Sequence, residues 1–132
     1  MIPARLGQWI PALALAGLVS CSEPFLYFPG GQLSGEETPL NAVPDSGGLI
    51  QLETAPADPY SVNLGFTVLD GIIYLDPAES RRWYQNIQAD PRVRIRFDGS
   101  TAVHPMLAVR ETDPTILARF DPERIILRLE PR

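Results

Sequence analysis

Residues 60–97 read YSVNLGFTVLDGIIYLDPAESRRWYQNIQADPRVRIRF, and the transitions within this stretch decide the fold. From Tyr60 to Val68, Tyr60, Val62, Leu64, Phe66 and Val68 alternate with Ser61, Asn63, Gly65 and Thr67. That period of two marks a strand with one buried face. Asp70-Gly71 follows, the dipeptide best suited to a tight hairpin turn, and Ile72 to Leu75 is the returning strand. Asp76-Pro77-Ala78-Glu79 then reads as a helix start, with Asp76 as N-cap, Pro77 at the first helical position and Glu79 closing a capping box. The spacing predicts a helix to about Ala89, with Trp83 and Ile87 one turn apart on the face toward the sheet. Pro91 stops it. Arg92 to Phe97 returns to period two, with Arg92, Arg94 and Arg96 on one face and Val93, Ile95 and Phe97 on the other.

Working outward, Leu49 to Thr54 is a first strand, and Asp98-Gly99 turns the chain into another over Thr101 to Arg110. Asp113-Pro114 caps a short helix to about Phe120, and Ile125 to Leu129 is the last strand. Five Asp-Pro pairs (58–59, 76–77, 90–91, 113–114 and 121–122) fall at predicted element edges. The residue before proline is pushed out of the helical region, so edges are where such pairs belong. Some six antiparallel strands with two helices make a mainly β domain over residues 49–132, a small barrel or an α+β sheet.

The first 48 residues read differently. Residues 1–20 have Arg5 as a short positive region and an apolar stretch of about 11 residues from Trp9 to Val19, broken by Pro11. A bilayer-spanning helix needs about 20 apolar residues, so this is a secretory signal and not a membrane span. Leu18-Val19-Ser20-Cys21 resembles the bacterial lipobox. The resemblance implies cleavage before Cys21, lipidation of its thiol and acylation of its new amine. More than one acyl chain on one residue gives stable anchoring where a single chain is marginal. Ser22 after the cysteine, in place of Asp, resembles the default for the periplasmic face of a Gram-negative outer membrane. Residues 21–48 hold repeated Pro and Gly and read as a tether ending in irregular packed structure, with Phe25-Leu26-Tyr27-Phe28 too apolar to hang free.

Charge is unevenly placed along the chain. All 11 basic residues are Arg, and only Arg5 precedes position 81. Residues 21–80 carry nine carboxylates and no base; residues 81–132 carry ten Arg against seven carboxylates. Without lysine there is no Schiff-base chemistry. One His and one Cys cannot build a zinc cage or an internal disulfide. A net charge of −5 is unsuited to nucleic acid.

The order of elements carries a second resemblance. A hairpin turning at Asp70-Gly71 is followed by Tyr74, then Ser80-Arg81-Arg82-Trp83, a helix, Asp90-Pro91 and a strand from Val93. This resembles the FMN-binding split β-barrel superfamily, the pyridoxamine 5′-phosphate oxidase-like and deazaflavin-dependent nitroreductase-like proteins. Trp83-Tyr84-Gln85-Asn86 is similar to the Trp-Tyr-x-Asn of the deazaflavin branch, and Ile125 to Glu130 to its last strand. The resemblance spans about residues 49–131 and implies a split β-barrel. It also implies a homodimer with FMN or a deazaflavin at its interface, and a cofactor phosphate held by Ser80, Arg81 and Arg82. A helix N-terminus with two guanidinium groups is sound chemistry for an anion. The family's basic residue on the preceding strand is missing from Ser61 to Leu69, and Ala55-Pro56-Ala57-Asp58-Pro59 replaces the branch's Gly-Arg-x-Ser-Gly-like segment.

Each sharp reading has a plainer competitor. Arg81 and Arg82 could instead pair with the acidic first half, and Arg92, Arg94 and Arg96 could be a solvated barrel rim or an anion groove. Trp83 and Tyr84 suit packing as well as ring stacking. His104, before Pro105 in a strand, has no evident nucleophile to serve, and Asp70 and Asp98 are explained by their turns. Two functions stay open: a lipid-anchored barrel binding an anionic flavin-type cofactor, with oxidoreductase activity unassigned, or a non-catalytic binding or structural envelope lipoprotein.

Overall fold

Asp70 and Gly71 both take positive φ, 52° and 76°, as a two-residue hairpin turn demands. The hairpin they close is part of a six-stranded barrel in a computed structural model that describes residues 30–132. The strands are β1 (Gly48–Thr54), β2 (Tyr60–Leu69), β3 (Ile72–Leu75), β4 (Arg92–Phe97), β5 (His104–Arg110) and β6 (Leu127–Pro131). Helix α1 (Arg82–Ala89) joins β3 to β4, and α2 (Pro114–Leu117) joins β5 to β6. All neighbours are antiparallel in the order β1-β2-β3-β6-β5-β4, and β4 returns to β1 to close the ring. The architecture is the mainly β barrel with two helices that the sequence predicts. The ring is closed but split: β2 meets β3 only from Thr67 to Leu69, which leaves the start of β2 without a strand partner on that side.

Period two fills the barrel. Leu52 lies between Val62 of β2 and Ile95 of β4 in register, and Ile50 between Leu64 and Phe97. With Ile73, Leu75, Val93, Met106 and Leu129 they form a core from which water is excluded. Burying each such side chain stabilises the fold by roughly 1.5–3 kcal/mol. Helix α1 closes one end of the barrel with Tyr84 and Ile87. The predicted pair was Trp83 and Ile87; Tyr84 is the buried member, and Trp83 packs half-exposed against the core. Asn86 secures the helix by donating from Nδ2 to Thr54 Oγ1 at 3.0 Å.

The helix start also differs from expectation. Arg81 is the N-cap, and neither Asp76 nor Glu79 caps anything. The first helical bond runs from the Gln85 N–H to the Arg81 carbonyl, and residues 78–81 form a separate turn closed by the Arg81 N–H on Ala78 O. Asp76 is otherwise engaged: Arg124 donates to its backbone carbonyl at 2.6 Å. Pro77 is buried in the same connector. Asp113 does cap α2, accepting from the Thr115 N–H at 2.9 Å.

Residues 30–47 pack on the barrel. Gly30 exchanges two backbone hydrogen bonds with Ser61, and Glu36 and Thr38 bond Val103 on both sides. Leu33 is buried, and Leu40 and Val43 lie against the core. Gly35 passes so close to Thr101 that a Cβ would sit 2.4 Å from its carbonyl oxygen. Cys21 and the apolar 25–28 run lie outside the described residues. No helix among the described residues is long and apolar enough to cross a membrane.

Candidate anion-binding cleft

The connector from β3 to α1 passes over the start of β2 and leaves a cleft of about 390 Å³ between them. Tyr60, Val62 and Leu64 supply its apolar wall; Asp76 to Ala78 and Ser80 to Trp83 form the opposite side. Arg124, from the turn before β6, completes the lining. Ser80, Arg81 and Arg82 therefore share one cavity with a fourth residue that lies more than 40 positions away. A second groove of about 350 Å³ shares Leu64, Asp76 and Trp83 with it and runs on to Phe66, Thr67 and Tyr74.

The cleft is positively charged. Arg81 makes no side-chain hydrogen bond or ion pair among the described residues and is exposed. Arg82 lies with its guanidinium carbon 4.5 Å from the Tyr60 ring centroid. Beyond that cation–π contact Arg82 makes no side-chain hydrogen bond among the described residues, so its N–H donors are available. Arg124 donates from Nη2 to Asp76 O at 2.6 Å and approaches Asp76 Oδ1 at 3.4 Å. No side chain caps α1, so its first-turn N–H groups also face outward unsatisfied by the helix. Three guanidinium groups, one hydroxyl and a helix start against a single carboxylate suit an anion. No histidine lines the cleft. Among the described residues no group of three His, Cys, Asp or Glu could hold a metal ion.

The three arginines of β4 are committed elsewhere. Arg94 makes a two-pronged pair with Glu53, 2.8 Å on each arm, and also reaches Glu37 and Leu33 O. Arg96 donates to Gln51 Oε1 and Ser34 O. Arg92 pairs with Asp90, whose carboxyl it holds at about 2 by hydrogen bonding. The face of β4 read as a solvated rim or anion groove is instead the seat of the 30–40 segment, with Arg92 alone at the rim. Pairing with the acidic half falls to Arg94 and Arg124, not to Arg81 or Arg82. His104 Nδ1 bonds Thr38 O at 2.9 Å and its ring lies 5.7 Å from Phe97, a packing role.

A second polar cluster lies on the outer face at β3 and β6. Buried Glu111 accepts from the Thr112 and Asp113 N–H groups and from Arg128, which also pairs with Glu130. Burial alone pushes the Glu111 carboxyl up, but these donors outweigh it and hold it below its ordinary value. Tyr74, buried beside Glu111, is pushed up by that burial and by the carboxylate. A carboxyl with a lowered folded value stabilises the fold above its unfolded pKa, and that contribution is lost as pH falls through the folded value. Glu111→Gln is therefore expected to flatten the acid limb of a stability profile, measured by urea melts between neutral pH and pH about 3. An unchanged acid limb would show that Glu111 is not the group responsible.

Sequence reasoning missed Tyr60, Asp76 as a cleft residue, and Arg124. Tyr60 read as an ordinary strand residue, and Arg124 sits in an Asp-Pro turn with no local signal for a ligand.

No protein-family model matches the sequence, and no curated protein matches it as a relative. Among solved structures the barrel matches a Listeria innocua protein provisionally assigned as a pyridoxamine 5′-phosphate oxidase. The match has a TM-score of 0.52 and 18% identity, over 64% of this chain and 83% of that one. At that identity the likeness is one of fold alone, a closed six-stranded antiparallel barrel.

Proposed function

We propose that this chain is a lipid-anchored envelope protein whose split barrel binds a small phosphate-bearing planar ligand of the FMN or deazaflavin class. The observation that carries the reading is the convergence of Ser80, Arg81, Arg82 and Arg124 on one cleft beside Trp83 and Tyr60. The residues present fit the phosphate end of such a group. Arg81 and Arg82 would hold it by charge-assisted hydrogen bonds, with Ser80 as a further donor. The apolar wall of Val62 and Leu64 and the half-exposed Trp83 would take the ring and exclude water from one face. A flavin-type group, when bound, supplies hydride or single-electron transfer. The chain's own part is to bind and orient, because the cleft lining offers no general base beyond Asp76, which faces Arg124. That same lack supports a second reading, a non-catalytic binding module. The two part on whether the bound ligand cycles between oxidation states with an added reductant.

The test is a titration of the full chain with FMN and with a phosphorylated deazaflavin, followed by ligand fluorescence. Binding by tens of micromolar, roughly 6–7 kcal/mol, is the expected result; no binding of either at that level overturns the cofactor reading. Anchoring has its own test. Cys21→Ser is expected to abolish fatty-acid labelling and move the protein from the membrane to the soluble fraction. Membrane retention by the variant would refute it.

A further inference from the structure

We propose that Arg124 is a switchable third ligand of the cleft. Asp76 holds it in reserve and yields it to a terminal phosphate monoester in its dianionic form. The inference rests on the anion-binding reading above and names the ligand charge that the cleft selects.

Arg124 reaches the cleft from a fixed base. Its own N–H bonds Asp121 O at 3.0 Å, and Asp121 Oδ1 accepts the Glu123 N–H at 2.9 Å, so the turn that carries it is closed by two internal hydrogen bonds. From there a single nitrogen, Nη2, serves both contacts with Asp76. The short contact, 2.6 Å, is to the neutral backbone carbonyl; the carboxylate lies at 3.4 Å, the long limit of a hydrogen bond. Nε and Nη1 have no partner among the described residues. Both side chains are about half exposed, 43% and 52%. An exposed ion pair of poor geometry contributes little to stability, and so costs little to exchange.

Charge selects the ligand. The cleft is lined by three guanidinium groups and one carboxylate, a net of two positive charges. That complements a phosphate esterified once, which carries close to two negative charges near neutral pH. A carboxylate or a phosphodiester would leave one guanidinium unmatched. As the phosphate enters, Arg124 keeps its bond to the Asp76 carbonyl and turns its unused donors to the phosphate oxygens, displacing only the 3.4 Å contact. Asp76 thereby sets a threshold: a weak anion does not compete with it, a dianion does.

The experiment is a set of affinity measurements on the full chain with FMN and inorganic phosphate as probes, comparing wild type with Asp76→Asn, Arg124→Ala and the double variant. Asp76→Asn is expected to tighten binding several-fold, and Arg124→Ala to weaken it about tenfold, the loss of one charge-assisted hydrogen bond. The double variant is expected to match Arg124→Ala alone, because the gain from Asp76→Asn passes through Arg124. A gain of affinity cannot come from a damaged fold. If both single variants weaken binding, the contact only holds the connector in shape and the proposal fails. Tightening by Asp76→Asn that persists without Arg124 would mean simple charge repulsion, which also overturns it. Wild-type affinity in Arg124→Ala sinks the proposal and leaves the Arg81-Arg82 reading standing. Failure of wild type to bind either probe sinks both.

Discussion

Glu53→Ala is expected to lower the stability of the domain by about 3 kcal/mol, the lower end of the cost of breaking a buried ion pair. Glu53 sits on the outward face of β1, yet its side chain is only 6% exposed, because the 30–40 segment lies across it. One carboxylate oxygen accepts from the Leu33 N–H at 2.7 Å, and both accept from Arg94 at 2.8 Å. Truncation strands a buried backbone donor and a guanidinium at 15% exposure. The lower end of the range applies because Arg94 keeps Leu33 O and Glu37. Urea melts would measure the loss. Arg94→Ala should cost a similar amount, and the double variant clearly less than the two together, since each removes the same interaction. Strict additivity would show that the two act independently and that the segment is held by its backbone bridges alone.

The second large effect is on binding. An Arg81→Ala, Arg82→Ala double variant is expected to weaken FMN at least about 100-fold, since each charge-assisted bond is worth roughly 1.5–3 kcal/mol and 1.4 kcal/mol is tenfold. The fold should tolerate the change. Arg81 has no side-chain partner among the described residues, and Arg82 has only its stack on Tyr60. Stability within about 0.5 kcal/mol of wild type is the matching expectation for exposed sites. Affinity equal to wild type would refute the assignment of these residues even if FMN binds elsewhere. Another cavity, about 270 Å³ between Leu49, Phe97 and Gly99, is where such binding would be sought.

Much of the barrel was legible from the chain alone, for a local reason. Alternation in β2 and β4 and the Asp70-Gly71 turn depend on neighbours one or two residues apart, and both strands and the turn form where those patterns put them. The start of α1 did not. Asp76-Pro77-Ala78-Glu79 has every local mark of a helix start, but Arg124 takes the Asp76 carbonyl and Pro77 is buried, so the helix begins at Arg82. A local preference for a cap is worth about 1 kcal/mol and yields to a tertiary contact of comparable size. Glu53 is likewise buried by a tertiary contact, under the 30–40 segment, and no local pattern marks it.

The uneven distribution of charge shows where this division falls. The order of residues alone dictates that every basic residue of the domain lies at or beyond Arg81, and that two of them stand beside Ser80 at a helix start. It could not determine which arginines would meet the acidic half, because that depends on which strands become neighbours. Closure of the barrel set β4 against β1, and so Arg94 against Glu53 and Arg96 against Gln51. It carried the turn before β6 to the end of β3, and so Arg124 to Asp76. Register places partners tens of residues apart within 3 Å, and no local pattern encodes that. Arg94 and Arg124 meet carboxylates of the acidic half, whereas among the described residues the fold brings none within ion-pair reach of Arg81 or Arg82.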